Sequence, residues 1–150
     1  MKNFFILLLM LCASVSAVSA QRTSISGAEA TGTFRLYFDA ASKGKGNYNE
    51  VKISALGKGK LKVSLSLTYP YIDGRGQPSA NFGDAEGTAE ITGDTAVFSP
   101  EDTETCKITI KFVKPGQIKI TEDGGDSGCG FGRNVYADGT YIKVNKKRGN

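Results

Sequence analysis

Hydrophobic and polar residues alternate with a period of two in several segments of the chain after residue 33. The alternation gives each segment one apolar and one polar face, as in the strands of an antiparallel sheet wrapped around one core. The clearest segments are 34–38, 51–55, 61–68 and 106–112, with shorter or weaker ones at 87–91, 95–98, 118–120 and 142–144. No convincing long helical period occurs within residues 21–150, so the pattern predicts an all-β fold.

Turn-forming residues separate the predicted strands. Gly93-Asp94 suits a tight hairpin with glycine first, Pro115-Gly116 suits a turn, and Asp138-Gly139 suits a tight hairpin near the end. Looser glycine-rich links are predicted at 43–49, 57–59 and 72–83. Seven or eight short strands with mostly short connections close most simply into a single small antiparallel barrel, and a two-sheet sandwich is the alternative.

The first 20 residues have the three parts of a secretory signal peptide: Lys2, an apolar run over 4–11, and small residues up to Ala20. Polar residues begin at Gln21, so we expect cleavage after Ala20 and one mature all-β domain, residues 21–150. The apolar run is far shorter than the ~20 residues that a membrane span needs, and no later run could span a bilayer. The sequence predicts an exported protein, periplasmic or extracellular, without membrane insertion.

Two cysteines, Cys106 and Cys129, remain once a signal peptide carrying Cys12 is removed. An exported chain with two cysteines most simply pairs them. The alternative, a reactive thiol or metal ligand, is disfavoured because the chain has no histidine and two thiolates do not complete a zinc site. We therefore predict a Cys106–Cys129 disulfide, no metal and no cofactor. Cys106 has the inward parity of its strand, so the bridge would hold the loop 121–134 over one end of the core.

The charge of the chain is modest in total and uneven in distribution. Without Lys2, 18 basic residues face 15 acidic ones, which is not the balance of a nucleic-acid-binding protein. Residues 43–62 contain six lysines and one acid, whereas residues 84–104 contain seven acids and no base. The simplest interpretation is that these are solvated faces of strands. The alternative is an acidic side of the molecule that could meet a basic partner.

Catalysis finds little support in the sequence. A chain with no histidine has no histidine-based triad or dyad, and neither a nucleophile elbow nor a phosphate-binding loop is present. A pair of carboxylates facing each other across a cleft, as a glycosidase needs, remains possible, but no motif indicates one. We therefore predict that the protein is not an enzyme and has no catalytic residues.

One loop, residues 124–134, combines five glycines with a cysteine and an aromatic residue. Glycine permits backbone conformations that other residues resist, and a disulfide would hold the resulting shape. A preorganised loop loses little entropy on binding, so we predict that this loop is a binding site. The candidate contact residues are Asp126, Ser127, Phe131 and Arg133. The alternative is a structural loop whose glycines avoid clashes at a barrel end.

Two further features are compatible with binding. A small apolar ligand inside the barrel is the alternative function, and it would require an open cavity lined by Phe34, Leu65 and Ile110. Four tyrosines are candidate binding aromatics, although in strands such residues are more often half-buried packing residues. They are Tyr69, Tyr71, Tyr136 and Tyr141.

Several short segments of the second half of the chain carry a resemblance. They are Thr105–Phe112, Gln117–Ile120, Cys-Gly-Phe-Gly at 129–132, and Tyr136 followed by Ala-Asp-Gly-Thr-Tyr at 137–141. Over roughly residues 84–144 the chain resembles a domain found in many exported bacterial proteins of unassigned function. That domain also recurs beside modules named for lysozyme inhibition.

The same loop is similar to the inhibitory loop of bacterial inhibitors of C-type lysozyme. Those proteins are small β-barrels with a Ser-Gly-x-x-Tyr loop that enters the lysozyme cleft. Here Ser127-Gly128 is followed by Cys129 and ends in Phe131 in place of tyrosine. The resemblance implies that Ser127 would donate a hydrogen bond to a cleft carboxylate and that Arg133 could pair with one. It implies a basic exported partner such as lysozyme, facing the acidic stretch 84–104.

Overall fold

The structure is a computed structural model that describes residues 24–38, 47–100, 103, 105–124 and 128–144. These residues form eight strands and one short helix. The elements are α1 (Gly27–Ala30), β1 (Gly32–Tyr37), β2 (Tyr48–Gly57), β3 (Lys60–Ile72), β4 (Pro78–Thr92), β5 (Thr95–Phe98), β6 (Lys107–Lys114), β7 (Gln117–Asp123) and β8 (Gly139–Lys143). The predicted signal peptide, residues 1–20, lies outside the described residues.

The eight strands form a closed barrel in which every strand pairs antiparallel with its neighbours in sequence and β8 pairs back with β1. The closing ladder has two register pairs, Phe34↔Lys143 and Arg35↔Ile142, whereas the β3–β4 ladder has 13. The prediction of a single small antiparallel barrel is confirmed, with eight strands, and the sandwich alternative is not the fold that forms.

Alternate residues of the strands point inward and form one hydrophobic core. Val51 and Ile53 of β2 lie directly opposite Leu65 and Val63 of β3, and all four side chains are buried. Burying an aliphatic side chain of this size contributes about 1.5–3 kcal/mol relative to leaving it exposed. The period of two in the sequence therefore corresponds to the inward faces that close the barrel.

The last strand faces the core with a different residue from the one that the alternation predicts. Ile142 and Val144 around Lys143 indicate inward aliphatic side chains, but Tyr141 is fully buried and Ile142 is 50% exposed. The Tyr141 hydroxyl donates a hydrogen bond to the Ala137 carbonyl oxygen at 2.9 Å. A tyrosine ring buries more apolar surface than an isoleucine, and its polar atom is satisfied here, so Tyr141 sets the parity of β8.

The β3–β4 hairpin continues beyond the barrel wall as a two-stranded extension, residues 68–82, which we call the arm. Its ladder comprises Thr68↔Phe82, Tyr69↔Asn81, Pro70↔Ala80, Tyr71↔Ser79 and Ile72↔Pro78. Within the described residues, the pairing of β3 with β2 ends at Ser66, so the arm has two strands. The prediction of a glycine-rich link over 72–83 is therefore wrong, because β4 begins at Pro78 and the turn spans 73–77.

One end of the barrel, the helix end, is closed by α1 and by tight turns. Ala30 of α1 is fully buried in the core, and the Ile25 N–H donates to the Gly93 carbonyl oxygen at 3.2 Å. The predicted turns at Gly93-Asp94 and Pro115-Gly116 are confirmed. Gly93 and Gly116 have φ values of 63° and 74°, which glycine adopts without steric cost.

The opposite end, the arm end, carries the arm and the irregular residues 128–138, which we call the capping loop. The tight hairpin predicted at Asp138-Gly139 is wrong. Gly139 is the first residue of β8, which pairs with β7 and β1, and the residues before it are not a strand. A turn dipeptide thus marks the place where an irregular loop enters a strand.

The described residues include no helix with the length and hydropathy of a membrane span. The disulfide between Cys106 and Cys129 forms as predicted. Because thiols stay reduced in the cytoplasm, this bond indicates a non-cytoplasmic environment.

Candidate functional site

The disulfide fastens the capping loop to the barrel wall. Cys106 lies directly before β6 and Cys129 lies in the loop, with their Cα atoms 4.7 Å apart and both side chains buried. The loop is therefore anchored at its start, as the inward parity of Cys106 predicts.

The four residues predicted to make contacts in this loop have different positions. Asp126 and Ser127 lie outside the described residues. Phe131 is partly buried and packs against the core, over the backbone of Gly83, where a Cβ atom would come within 2.9 Å of the ring. Arg133 is exposed. Phe131 thus holds the loop in place, and Arg133 presents a charge to solvent.

Two hydrogen bonds attach the capping loop to the base of the arm. The Gly132 N–H donates to the Phe82 carbonyl oxygen at 3.2 Å. The Asn81 side-chain amide donates to the Arg133 carbonyl oxygen at 2.6 Å. Both bonds join segments that are distant in sequence, so the arm and the loop form one connected surface.

The tip of the arm is closed by a single carboxylate. Asp73 Oδ1 accepts hydrogen bonds from the N–H groups of Arg75 at 2.8 Å and Gln77 at 2.9 Å. The Asp73 N–H donates to the Gln77 carbonyl oxygen at 2.8 Å. An aspartate that bonds the backbone two residues ahead stabilises a turn, so the tip is locally ordered.

A cleft of about 300 Å³ lies between the inner face of the arm and the capping loop. It is lined by Tyr69, Tyr71, Asn81, Arg133 and Asn134, and we call it the tyrosine cleft. Its two tyrosines are 41% and 39% exposed. They stand two positions apart on β3 and therefore face the same side of the strand. None of the five lining residues is acidic.

The outer face of the arm is apolar. Ile72 and Phe82 are 65% and 64% exposed; Pro78 pairs with Ile72, and the pair Pro70–Ala80 lies between them in the ladder. These residues line a second groove of about 580 Å³, which Tyr71 also lines. Exposed apolar side chains concentrated on one hairpin are typical of an interaction surface.

A buried asparagine fixes the base of the arm to the capping loop. Asn49 is 4% exposed, and its Oδ1 accepts a hydrogen bond from the Thr68 N–H at 2.7 Å. Its amide nitrogen donates to the Tyr136 carbonyl oxygen at 3.4 Å. Burial raises the pKa of the neighbouring Tyr141 hydroxyl well above its ordinary value, so this group stays protonated and keeps its bond to Ala137.

Two carboxylates, those of Glu122 and Asp138, lie close together where the capping loop joins the barrel. Glu122 Oε2 accepts a hydrogen bond from the Ala137 N–H at 2.6 Å, and Asp138 Oδ1 accepts one from the Glu122 N–H at 3.4 Å. Burial, assisted by the charge of Asp138, raises the pKa of Glu122 against the opposing effect of the Ala137 bond. Both carboxylates thus bond to backbone at the junction between loop and strand.

The acidic stretch 84–104 lies beside the lysine-rich stretch on the barrel wall. Lys62 Nζ and a Glu86 carboxylate oxygen are 3.6 Å apart. Lys111 Nζ and an Asp94 carboxylate oxygen are 4.0 Å apart. Glu101, Asp102 and Glu104 lie outside the described residues. Where the structure describes it, the wall carries alternating charges, which agrees with the interpretation of solvated strand faces.

The proposed ligand-lining residues of the barrel interior are fully packed. Phe34 and Leu65 are 1% exposed and Ile110 is 0% exposed. A cavity that admitted water would give these side chains accessible surface, so the core is filled around them.

The arm was missed by sequence reasoning, together with Phe82, Asn81 and Asn134. The signal that could have found it is Asp73-Gly74, a turn dipeptide preceded by the β-prone residues Tyr71 and Ile72. Pro70 and Pro78, on either side of this dipeptide, weaken the signal, because proline is rare in the interior of a strand.

Among the residues that the structure describes, no three acidic, histidine or cysteine side chains come together as a metal site would require. Comparison of the chain with protein-family models, with curated proteins and with solved structures finds no match.

Proposed function

We propose that this protein is an exported, non-catalytic binding domain that inhibits a cell-wall hydrolase such as lysozyme. In this proposal the arm enters the substrate cleft of the hydrolase, and the capping loop contacts the rim. The observation that carries the proposal is a two-stranded arm that projects from a packed barrel and is tied at its base to a disulfide-anchored loop.

The geometry of the arm suits insertion into a cleft. Five register pairs at about 3.3 Å per residue give the arm a reach of roughly 16 Å. Its tip is ordered by Asp73, and its base is held by Asn49 and Asn81. A rigid projection loses little conformational entropy on binding, and its affinity gains accordingly.

The charges at this end suit an acidic cleft. Arg75 at the tip and Arg133 at the base are exposed, whereas Oδ1 of the half-buried Asp73 accepts hydrogen bonds from two backbone N–H groups. Glycosidases hold a pair of carboxylates across the bond that they cleave. Guanidinium groups can pair with such carboxylates through two parallel hydrogen bonds, which favours an acidic cleft over other protein surfaces.

The packed core supports surface binding over the alternative function. An internal site for a small apolar ligand requires space around Phe34, Leu65 and Ile110, and these side chains have almost no accessible surface. Of the ten large hydrophobic residues that are exposed in the described chain, four lie on the arm, where a partner protein could cover Ile72 and Phe82.

The test is capture of purified lysozymes and other cell-wall hydrolases by the oxidised protein, with hydrolase activity measured in parallel. We expect capture and inhibition of at least one enzyme. Arg75→Ala combined with Arg133→Ala should weaken both by about tenfold or more, because each lost charge-assisted bond is worth more than 1 kcal/mol.

The matched control removes the same charge from other positions on the barrel, with Lys60→Ala combined with Lys114→Ala. An equal loss in this control would show that net charge, and not the arm end, drives the association. If no hydrolase is captured under oxidising conditions, the inhibitor proposal is wrong.

A further inference from the structure

We infer that the tyrosine cleft is a binding site for an acidic oligosaccharide, one whose sugars carry carboxylate groups. The inference goes beyond the proposed function, because it concerns a carbohydrate ligand and holds whether or not the protein binds a hydrolase. It rests on the shape of the cleft, on the types of side chain that line it, and on its charge.

The two tyrosines form a platform suited to sugar rings. Tyr69 and Tyr71 face the same side of β3, and their Cα atoms are about 6.6–6.8 Å apart along a strand of regular geometry. Each ring offers an apolar face on which the C–H groups of a pyranose can pack and a hydroxyl that can donate or accept a hydrogen bond. Two rings in line favour an extended chain of sugars over a single one.

The remaining residues supply polar groups of the kinds that sugar hydroxyls need. Asn81 and Asn134 carry side-chain amides, each with a carbonyl acceptor and two N–H donors. Asn81 uses one donor on the Arg133 carbonyl oxygen at 2.6 Å, which fixes its orientation beside the tyrosines. The cleft therefore presents donors and acceptors together, as a hydroxyl-rich ligand requires.

Arg133 makes the cleft selective for an acidic ligand. Its side chain is exposed, and among the described residues no carboxylate lies within ion-pair distance of it. No acid lines the cleft. A guanidinium binds a carboxylate through two parallel hydrogen bonds, so a carboxylate on the sugar would complete the site.

The cleft is formed before any ligand arrives. Asn134 has φ of 62°, in the left-handed region that asparagine adopts more readily than most residues, and the disulfide and the Gly132–Phe82 hydrogen bond hold the loop around it. A preformed cleft would bind a flexible saccharide with a smaller entropic cost.

The test is calorimetric titration of the oxidised protein with an oligogalacturonide, an acidic oligosaccharide, and with the neutral oligogalactoside of equal length. We expect the acidic probe to bind at least tenfold more tightly than the neutral one. Arg133→Gln should abolish that preference. Tyr69→Ala combined with Tyr71→Ala should weaken the binding of both probes by about tenfold, because each ring contact is worth about 0.5–1.5 kcal/mol.

Two control variants keep the outcome specific. Lys114→Gln removes one positive charge from the helix end of the barrel, and Tyr136→Ala removes an exposed tyrosine outside the cleft; both should bind like the wild type. If Lys114→Gln loses as much affinity as Arg133→Gln, or if neither probe binds the wild-type protein, the inference is overturned. The titration contains no hydrolase and the capture assay contains no saccharide, so failure of one proposal is distinguishable from failure of the other.

Discussion

The two ends of the barrel are built from the same strands but are held together differently. At the helix end, tight turns join neighbouring strands, and α1 packs Ala30 into the core. At the arm end, the bonds join segments far apart in sequence: Asn81 reaches Arg133, and Asn49 reaches Tyr136. Long-range bonds occur at the helix end too, as between Ile25 and Gly93, but tight turns connect its strands, whereas the irregular loop of the arm end is held by side-chain bonds and a disulfide.

The exposed side chains differ in the same way. The arm end groups Tyr69, Tyr71, Ile72 and Phe82 on one hairpin beside Arg133. At the helix end, Leu56, Val113 and Ile142 are exposed on three different strands. A scattered apolar residue is ordinary for a protein surface, whereas a group of them is not. The arm end is thus the end at which exposed aromatic and apolar side chains are grouped on one hairpin.

The largest expected effect comes from breaking the disulfide. Replacing Cys106 and Cys129 by serine should lower the free energy of unfolding by roughly 3 kcal/mol, because the bond closes a loop with a sequence separation of 23. Chemical denaturation measures the loss. Hydrogen exchange should rise in the capping loop and not in the turn at Gly93. Equal increases at both ends would contradict the proposed division of the barrel.

The next largest effect should come from Asn49→Ala. The substitution leaves the Thr68 N–H and the Tyr136 carbonyl oxygen without their side-chain partner, and an unsatisfied buried group costs about 1–3 kcal/mol. We expect a loss of about 2 kcal/mol in urea denaturation. Asn49→Asp keeps the acceptor for the Thr68 N–H but lacks the donor to the Tyr136 carbonyl oxygen, so it measures the contribution of the second bond alone. A change below about 0.5 kcal/mol for Asn49→Ala would show that the base of the arm does not need them.

A smaller effect is expected from Gly132→Ala. The new Cβ atom would lie 2.6 Å from the Phe82 carbonyl oxygen, so the loop must move away from the arm, at a cost of about 1–2 kcal/mol. Gly74→Ala, at the tip of the arm, is the control because its Cβ meets no atom within 4 Å. Thermal denaturation of both variants gives the comparison. Equal melting temperatures would mean that the loop can shift freely.

The smallest effect concerns pH and has opposite signs at two glutamates. Burial raises the pKa of Glu122, so its contribution to stability is present below the ordinary value of 4.5 and is lost as the pH rises through its folded pKa. Although burial opposes it, the bonds from Arg35 and Lys52 lower the pKa of Glu50. The contribution of Glu50 is present above 4.5 and is lost as the pH falls.

Unfolding free energies of Glu122→Gln and Glu50→Gln, measured across this range, check both signs. Relative to the wild type, Glu122→Gln should gain stability as the pH rises and Glu50→Gln should gain it as the pH falls. Parallel curves for the two variants would contradict the assignment.

The barrel could be predicted from the sequence because its strands have one buried and one solvated face. Segments such as 61–68 and 106–112 carry that alternation directly, and the turn at Gly93-Asp94 follows from the conformation that glycine permits. The Cys106–Cys129 disulfide could be predicted because residues 21–150 contain two cysteines and the sequence predicts export. In these parts, local preference and the final fold agree.

The arm could not be predicted in the same way, because neither of its faces is buried in the core. Tyr69 and Ile72 are both exposed, although they point to opposite sides, so no alternation marks the strand. The prediction that Ile142 faces the core was wrong for a related reason. Tyr141 and Ile142 are both apolar, so the alternation does not distinguish them, and the hydrogen bond of Tyr141 to Ala137 is a tertiary contact. Of the predicted loop residues, Arg133 lies at the tyrosine cleft and Phe131 packs inward.

The order of the strands has a consequence for how the chain folds. In the described chain, seven of the eight ladders join consecutive strands, so each hairpin can form from neighbouring sequence before the cylinder closes. Closure then requires β8 to pair with β1, which is about a hundred residues away in sequence, and the ladder that forms has two register pairs. We expect this seam to be the last contact made during folding and the first to open when the native protein fluctuates.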